Sequence, residues 1–165
     1  MGIPAVGIFL AACAGPQIRD GAYANAAKRF VVPLPSAGWT VEMDAGPDLL
    51  LRHESRQAGI SVHATCGEIP ADRRVEIASR HLFFGIQDKQ VLRDEPRAGS
   101  PEEGSEVLLR GHVEGRDLLL HGYTVKGSGC LYDLVLFAAP EDYAEVDGEF
   151  EALVHGFRRS SGQTR

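Results

Sequence analysis

The sequence predicts an α+β domain, a mostly antiparallel sheet of about six strands flanked by helices. Three observations predict it. Segments such as WTVEMD (Trp39–Asp44) and ISVHATC (Ile60–Cys66) alternate apolar and polar residues, the period of a strand with one buried face. Two other segments, Ala71–Leu82 and Pro140–Phe157, space their apolar residues by three and four, the period of a helix buried along one stripe. The order is strands, helix, strands, helix, which suits helices packed on an antiparallel sheet. Composition agrees: 165 residues, 44% hydrophobic and 24% charged, fit one globular domain and exclude a disordered chain or a disulfide-dense miniprotein. A net charge of -6 excludes nucleic acid as the partner, because phosphate binding needs concentrated Lys and Arg. No run of about 18 apolar residues occurs, so an ordinary transmembrane helix is not expected.

The elements follow in order. Phe30–Pro35 (FVVPLP) is apolar but broken by two prolines, which predicts an edge segment. In Trp39–Asp44, Trp39, Val41 and Met43 share a face. Ala45-Gly46-Pro47-Asp48 is a turn signal, and Leu49–Glu54 is the next strand. Ile60–Cys66 places Ile60, Val62, Ala64 and Cys66 on one face. Pro70 and Asp72 are helix start signals. Ala71, Val75, Ala78 and Leu82 form the buried stripe of that helix, and Gly85 ends it. Phe83 and Phe84 fit either a broad buried face, the expected reading, or an exposed apolar patch. Lys89–Arg93 is a short strand and Asp94–Gly104 a loop.

Glu106–Glu114 and Arg116–Lys126 form the clearest hairpin, turning at Glu114-Gly115. That turn pairs Val113 with Arg116, and sets Val107, Leu109 and Gly111 on one face with Gly122, Leu120 and Leu118. Cys130–Ala138 is the most apolar strand and so a central one. Pro140-Glu141-Asp142 opens the last helix, with acid where the helix dipole favours it. Its core stripe is Tyr143, Val146, Phe150, Leu153 and Phe157.

The first residues carry different information. Met1–Ala12 hold no charge, and Ile3, Val6, Ile8, Phe9 and Leu10 lead into Leu10-Ala11-Ala12-Cys13. This resembles the lipobox of bacterial lipoproteins: Leu, two small residues, then the cysteine that is acylated. The resemblance implies a signal peptide over residues 1–12, cleavage before Cys13, and a lipid bilayer bound through acylated Cys13. The segment is atypical, because the Lys or Arg that opens such peptides is missing; either the start lies upstream of Met1, or the segment is an apolar N-terminus such as a buried first strand, against which Pro4 and Gly7 count. Ala14, where inner-membrane retention would favour Asp, implies the outer membrane, with the domain facing the periplasm. Residues 13–28 are small, polar and aperiodic and read as a tether. The domain is then residues 29–159, and 160–165 a frayed tail.

A second resemblance covers roughly residues 30–158. A segment with prolines leading to Gly38-Trp39, a helix after the third strand, a meander, and an apolar strand ending Ala139-Pro140 before a C-terminal helix resemble the PsbP-like α/β/α sandwich. Such domains are binding or assembly modules, so the resemblance implies a protein partner and transfers no functional residue.

Candidate chemistry is sparse. In an oxidising periplasm, Cys66 and Cys130 are the pair left for a disulfide once Cys13 is acylated; two separate buried thiols are the alternative. His63, His112 and His121 fall on the polar sides of strands, with Asp117 opposite His112 in the hairpin register. They are weak metal candidates, because no HxH, HExxH or i, i+4 histidine pair accompanies them. Ser128 lies in Gly127-Ser128-Gly129, a turn and not the strand-to-helix elbow of GxSxG hydrolases. Glu102-Glu103 and Glu141-Asp142 read as solvated charge. No catalytic residue and no cofactor are expected. The leading expectation is a membrane-anchored, non-catalytic protein-binding or envelope-assembly module. A periplasmic metal- or small-ligand-binding protein is the alternative, and a small hydrolase comes third.

Overall fold

The computed structural model describes residues 15–42, 46–67, 69, 74–97, 104–127 and 129–160. Among them are eleven strands and two helices. In chain order the strands are β1 (Gln17–Arg19), β2 (Ala22–Asn25), β3 (Phe30–Pro33), β4 (Trp39–Glu42), β5 (Leu49–His53) and β6 (Ala58–Cys66). Helix α1 (Val75–Leu82) follows, then β7 (Gln87–Arg97), β8 (Gly104–Val113), β9 (Arg116–Gly127) and β10 (Cys130–Ala138). Helix α2 (Pro140–Gly156) and the short β11 (Arg158–Arg159) end the fold. The fold is α+β as expected, with two antiparallel sheets instead of one. The larger has the order β4-β5-β6-β10-β9-β8-β7, and the smaller β1-β2-β3-β11.

The hairpin register is the predicted one. Val113 pairs with Arg116, and Val107, Leu109 and Gly111 lie opposite Gly122, Leu120 and Leu118. Their shared face carries one core, Phe83, Val107, Leu109, Leu118, Leu120 and Val135, beneath α1. Gly122 makes that contact possible, because a Cβ there would stand 2.6 Å from Phe83 Cζ. Alternate residues face the other way into a larger core. There Ile60, Val62, Tyr132, Leu134 and Leu136 meet Val146, Phe150, Leu153 and Val154 of α2. β10 is central, as its composition predicts, pairing β6 on one side and β9 on the other.

Several expectations are corrected. Residues 17–25, read as part of a tether, form β1 and β2, and β2 pairs with β3. Tyr23 is 1% exposed, and its hydroxyl donates to the Asp48 carbonyl at 2.6 Å. Small residues on each side hid this one aromatic anchor. Asp48 ties the small sheet to the large one: Lys28 Nζ pairs with it at 2.7 Å, and the Ala64 N–H donates to it at 2.7 Å. Phe30–Pro33 is not an edge. β3 lies between β2 and β11, because Pro33 falls at its last position, where a missing N–H interrupts no ladder. The loop expected from Asp94 begins later, since β7 runs on to Arg97 beside β8.

Helix α1 starts at Val75; Ala71 and the start signals Pro70 and Asp72 lie outside the described residues. Its most buried residue is Ser79, whose hydroxyl shares a hydrogen bond with that of Ser105 at 2.9 Å. Phe83 and Phe84 do not share a fate: Phe83 is 4% exposed and Phe84 87%. Signal peptide and lipobox, Met43, Ser128, Glu102-Glu103 and residues 161–165 also lie outside the described residues. No helix among the described residues is long and apolar enough to cross a membrane.

Candidate functional site

The main polar constellation lies where α2 packs on β9, with side chains of β8 and β7 reaching toward it. On α2, Tyr143, Asp147, Glu151 and His155 recur every four residues, a polar stripe beside the apolar one. β9 contributes His121, β8 Glu106, and β7 Arg93 and Arg97. Register puts these on one face: Leu108 lies opposite His121, and Glu95 opposite Glu106, with Arg93 and Arg97 two residues to either side of Glu95.

His121 is fully buried. Its Nε2 lies 2.9 Å from Glu106 Oε1, and its Nδ1 lies 3.0 Å from both Asp147 Oδ1 and the Tyr143 hydroxyl. The Phe150 ring meets it edge to face, centroids 5.1 Å apart. Arg93 Nη1 reaches Glu106 Oε1 at 2.8 Å, and Arg97 Nη1 reaches Glu106 Oε2 at 2.9 Å. Arg97 also forks onto Glu151 through both Nη atoms. Its guanidinium lies 5.5 Å from the centre of the Tyr123 ring, an added cation–π contact.

Electrostatics follow from these contacts. The His121 hydrogen bond, with help from Arg93 and Arg97, outweighs burial and holds the Glu106 carboxyl at about 2, against an ordinary 4.5. Glu151, ahead of Glu106, raises the Arg97 guanidinium further. Burial, followed by Asp147, pushes the Tyr143 hydroxyl up, so it stays protonated. An open groove of about 550 Å³ borders the network, lined by Arg93, Glu95, Pro96, Arg97, Glu106, Asp147 and Glu151.

The expected histidines do not converge. His63 and His121 point to opposite faces, since His63 lies opposite Asp133 and His121 opposite Leu136 on β10. His63 is half exposed beside Asp48, at 3.6 Å. His112 does lie opposite Asp117, but Asp117 is forked by Arg110, and the nearest His112 ion pair is to Asp88 at 3.7 Å. His112 is also four residues along β8 from Leu108, roughly 13 Å from His121. A set built on His63, His112 and His121 is therefore ruled out. Another trio comes together, Glu106, His121 and Glu151, with one possible ligand atom each within 4.8 Å of one another. Both Glu106 oxygens and both Glu151 oxygens already meet arginine, so a cation there would have to displace Arg97. The arrangement is that of a structural ion-pair network.

The cysteines do converge. Cys66 and Cys130 are directly opposite across β6 and β10, Cα atoms 4.1 Å and sulfurs 2.03 Å apart.

The fold is an α+β domain with an ion-pair network at its helix–sheet interface, and it is similar to that of PsbP-like proteins. The likeness is one of fold, and it extends to proteins of different description. CyanoP, the cyanobacterial PsbP of Synechocystis, superposes with a TM-score of 0.61 at 19% identity, over 96% of this chain and 98% of that one. LpqN of Mycobacterium tuberculosis, involved in cell envelope biogenesis, gives 0.64 at 12% identity, over 80% and 83%. The Ran-binding protein Mog1p of Saccharomyces cerevisiae gives 0.54 at 8% identity, over 79% and 90%. No protein-family model matches the chain, and no curated protein matches it in sequence.

Proposed function

We propose that this chain is an envelope lipoprotein, held on the bilayer through acylated Cys13, whose domain binds a protein partner and performs no reaction of its own. The observation that carries the reading is the saturation of the buried network. His121, Glu106, Arg97 and Glu151 each meet partners from this same chain, so they lock α2 to the sheet instead of standing free for a substrate. Function then falls to the surface. There β7 is an eleven-residue edge strand on which Val91 and Leu92 are 55% and 49% exposed. A half-exposed apolar pair on an edge suits a partner better than water. The fold neighbours described by partner or process, a Ran-binding protein and an envelope-biogenesis protein, support a binding module. The lipobox at Leu10–Cys13 supports the anchor and the periplasmic side, and Ala14 after it supports the outer membrane.

Two measurements test the reading. Palmitate labelling is expected on the wild-type chain and lost in Cys13→Ser; label that persists overturns the anchor. A photoreactive residue at Leu92 is expected to trap one discrete partner that the same residue at exposed Arg19 does not. Equal adducts at both positions, or none, overturn binding through β7.

A further inference from the structure

The larger sheet carries a second feature at the end away from the disulfide. Along β6 and β10 the paired residues run from Cys66–Cys130 at one end to Ala58–Ala138 at the other, roughly 26 Å away. At that far end lies a cavity of about 130 Å³, lined by Arg52, His53, Arg56, Gln57, Ala58, Arg116, Leu118 and Phe137. Among the described residues three guanidiniums line it and no carboxylate does, in a chain of net charge -6.

Register explains the convergence. Arg52 pairs with Gly59, and Gly59 with Phe137, so the three stand in one row across β5, β6 and β10. Gly59 lets the Phe137 ring lie on the β6 backbone; a Cβ there would stand 2.2 Å from Phe137 Cζ. Leu118 and Arg116 alternate onto the same face of β9 as Leu120, the Phe137 partner. Arg56 and Gln57 come from the β5–β6 turn. The floor is thus apolar and the rim cationic.

The guanidiniums keep donor capacity. Each offers five N–H groups in a fork that matches an oxyanion. Arg56 meets Asp142 and Glu145 at 3.5 and 3.4 Å, and Arg116 meets Glu114 at 3.9 Å, all single long contacts. Arg52 has one short contact, Nε to Glu42 at 2.7 Å. Size selects the ligand class. About 130 Å³ holds roughly four waters' worth of liquid, below the roughly 300 Å³ where drug-sized pockets begin.

We infer that this cavity binds a small organic anion, a phosphate or carboxylate head among Arg52, Arg56 and Arg116 with a short apolar stem on Phe137 and Leu118. The site is separate from β7 and does not depend on the partner proposed there.

The test uses the full chain with Cys13→Ser, so that acylation cannot mimic binding. The probes are n-butyl phosphate, inorganic phosphate and n-butanol, followed by the backbone amide resonances of Gln57 and Ala58. Butyl phosphate is expected to bind more tightly than inorganic phosphate, and butanol not at all. The Arg52→Gln/Arg116→Gln variant, both positions being exposed, is expected to fold and to weaken butyl phosphate at least about tenfold. Phe137→Leu is expected to erase the preference for butyl phosphate over inorganic phosphate while both still bind. Affinity within about twofold of wild type in the double arginine variant, or no saturation at millimolar butyl phosphate, overturns the inference. So does binding to phosphatidylglycerol vesicles without binding to butyl phosphate, which would assign the arginines to a lipid surface.

Discussion

His121 has a carboxylate at each ring nitrogen and no solvent, which makes it costly to remove. His121→Ala is expected to cost roughly 3–5 kcal/mol in urea unfolding, because the buried Glu106 would lose the imidazole that bonds it. Glu106 sets a pH dependence whose sign follows from its depressed value. Its folded-state value of about 2 lies below the ordinary 4.5, so its stabilisation is complete above pH 4.5 and lost as pH falls toward 2. Glu106→Gln should flatten the stability profile in that window and lower stability above it, as read by thermal unfolding against pH. The sequence marks these residues only faintly. His121 is visible as a histidine on the polar side of a strand. Glu106, Arg97 and Glu151 look like ordinary surface charge until register and the four-residue spacing on α2 bring them together.

At the scale of elements, neighbouring aromatics have opposite weights. Phe83 fills the space above Gly122, while Phe84 points to solvent at 87% exposure. Phe83→Ala is expected to lower stability by about 3 kcal/mol or more, and Phe84→Ala by less than about 0.5, in the same urea titration. Helical periodicity could not separate them, because both follow the last turn of α1, where the chain leaves the helix at Phe83. The β1–β2 hairpin makes a similar point. A chain starting at Arg29 keeps every strand legible from alternation, yet it loses Tyr23 and the Lys28–Asp48 pair. Such a truncation is expected to cost roughly 3 kcal/mol or more against a chain starting at Gly15, measured by urea midpoint. Within Gln17–Asn25 the small residues carry no apolar period, and only the pairing of β1 with β2 and of β2 with β3 reveals these strands.

At the scale of the molecule, one covalent link spans much of the chain. Cys66 and Cys130 are 64 residues apart in sequence and enclose α1, β7, β8 and β9. Reduction is expected to lower stability by about 4 kcal/mol, from the loop entropy restored to the unfolded chain. Thermal unfolding with and without a phosphine reductant measures it, and Cys66→Ser/Cys130→Ser should reproduce the reduced state. The sequence by itself determined the fold class, the β8–β9 register, both core stripes of the main strands and the stripe of α2. Those are carried by local periodicity and turn chemistry, which act within a few residues. Tertiary structure alone decided the second sheet, the split between Phe83 and Phe84, the ion-pair network and the arginine-rimmed cavity. Each of these joins side chains from segments tens of residues apart, and electrostatic or packing energy between them exists only once the sheet has set its register.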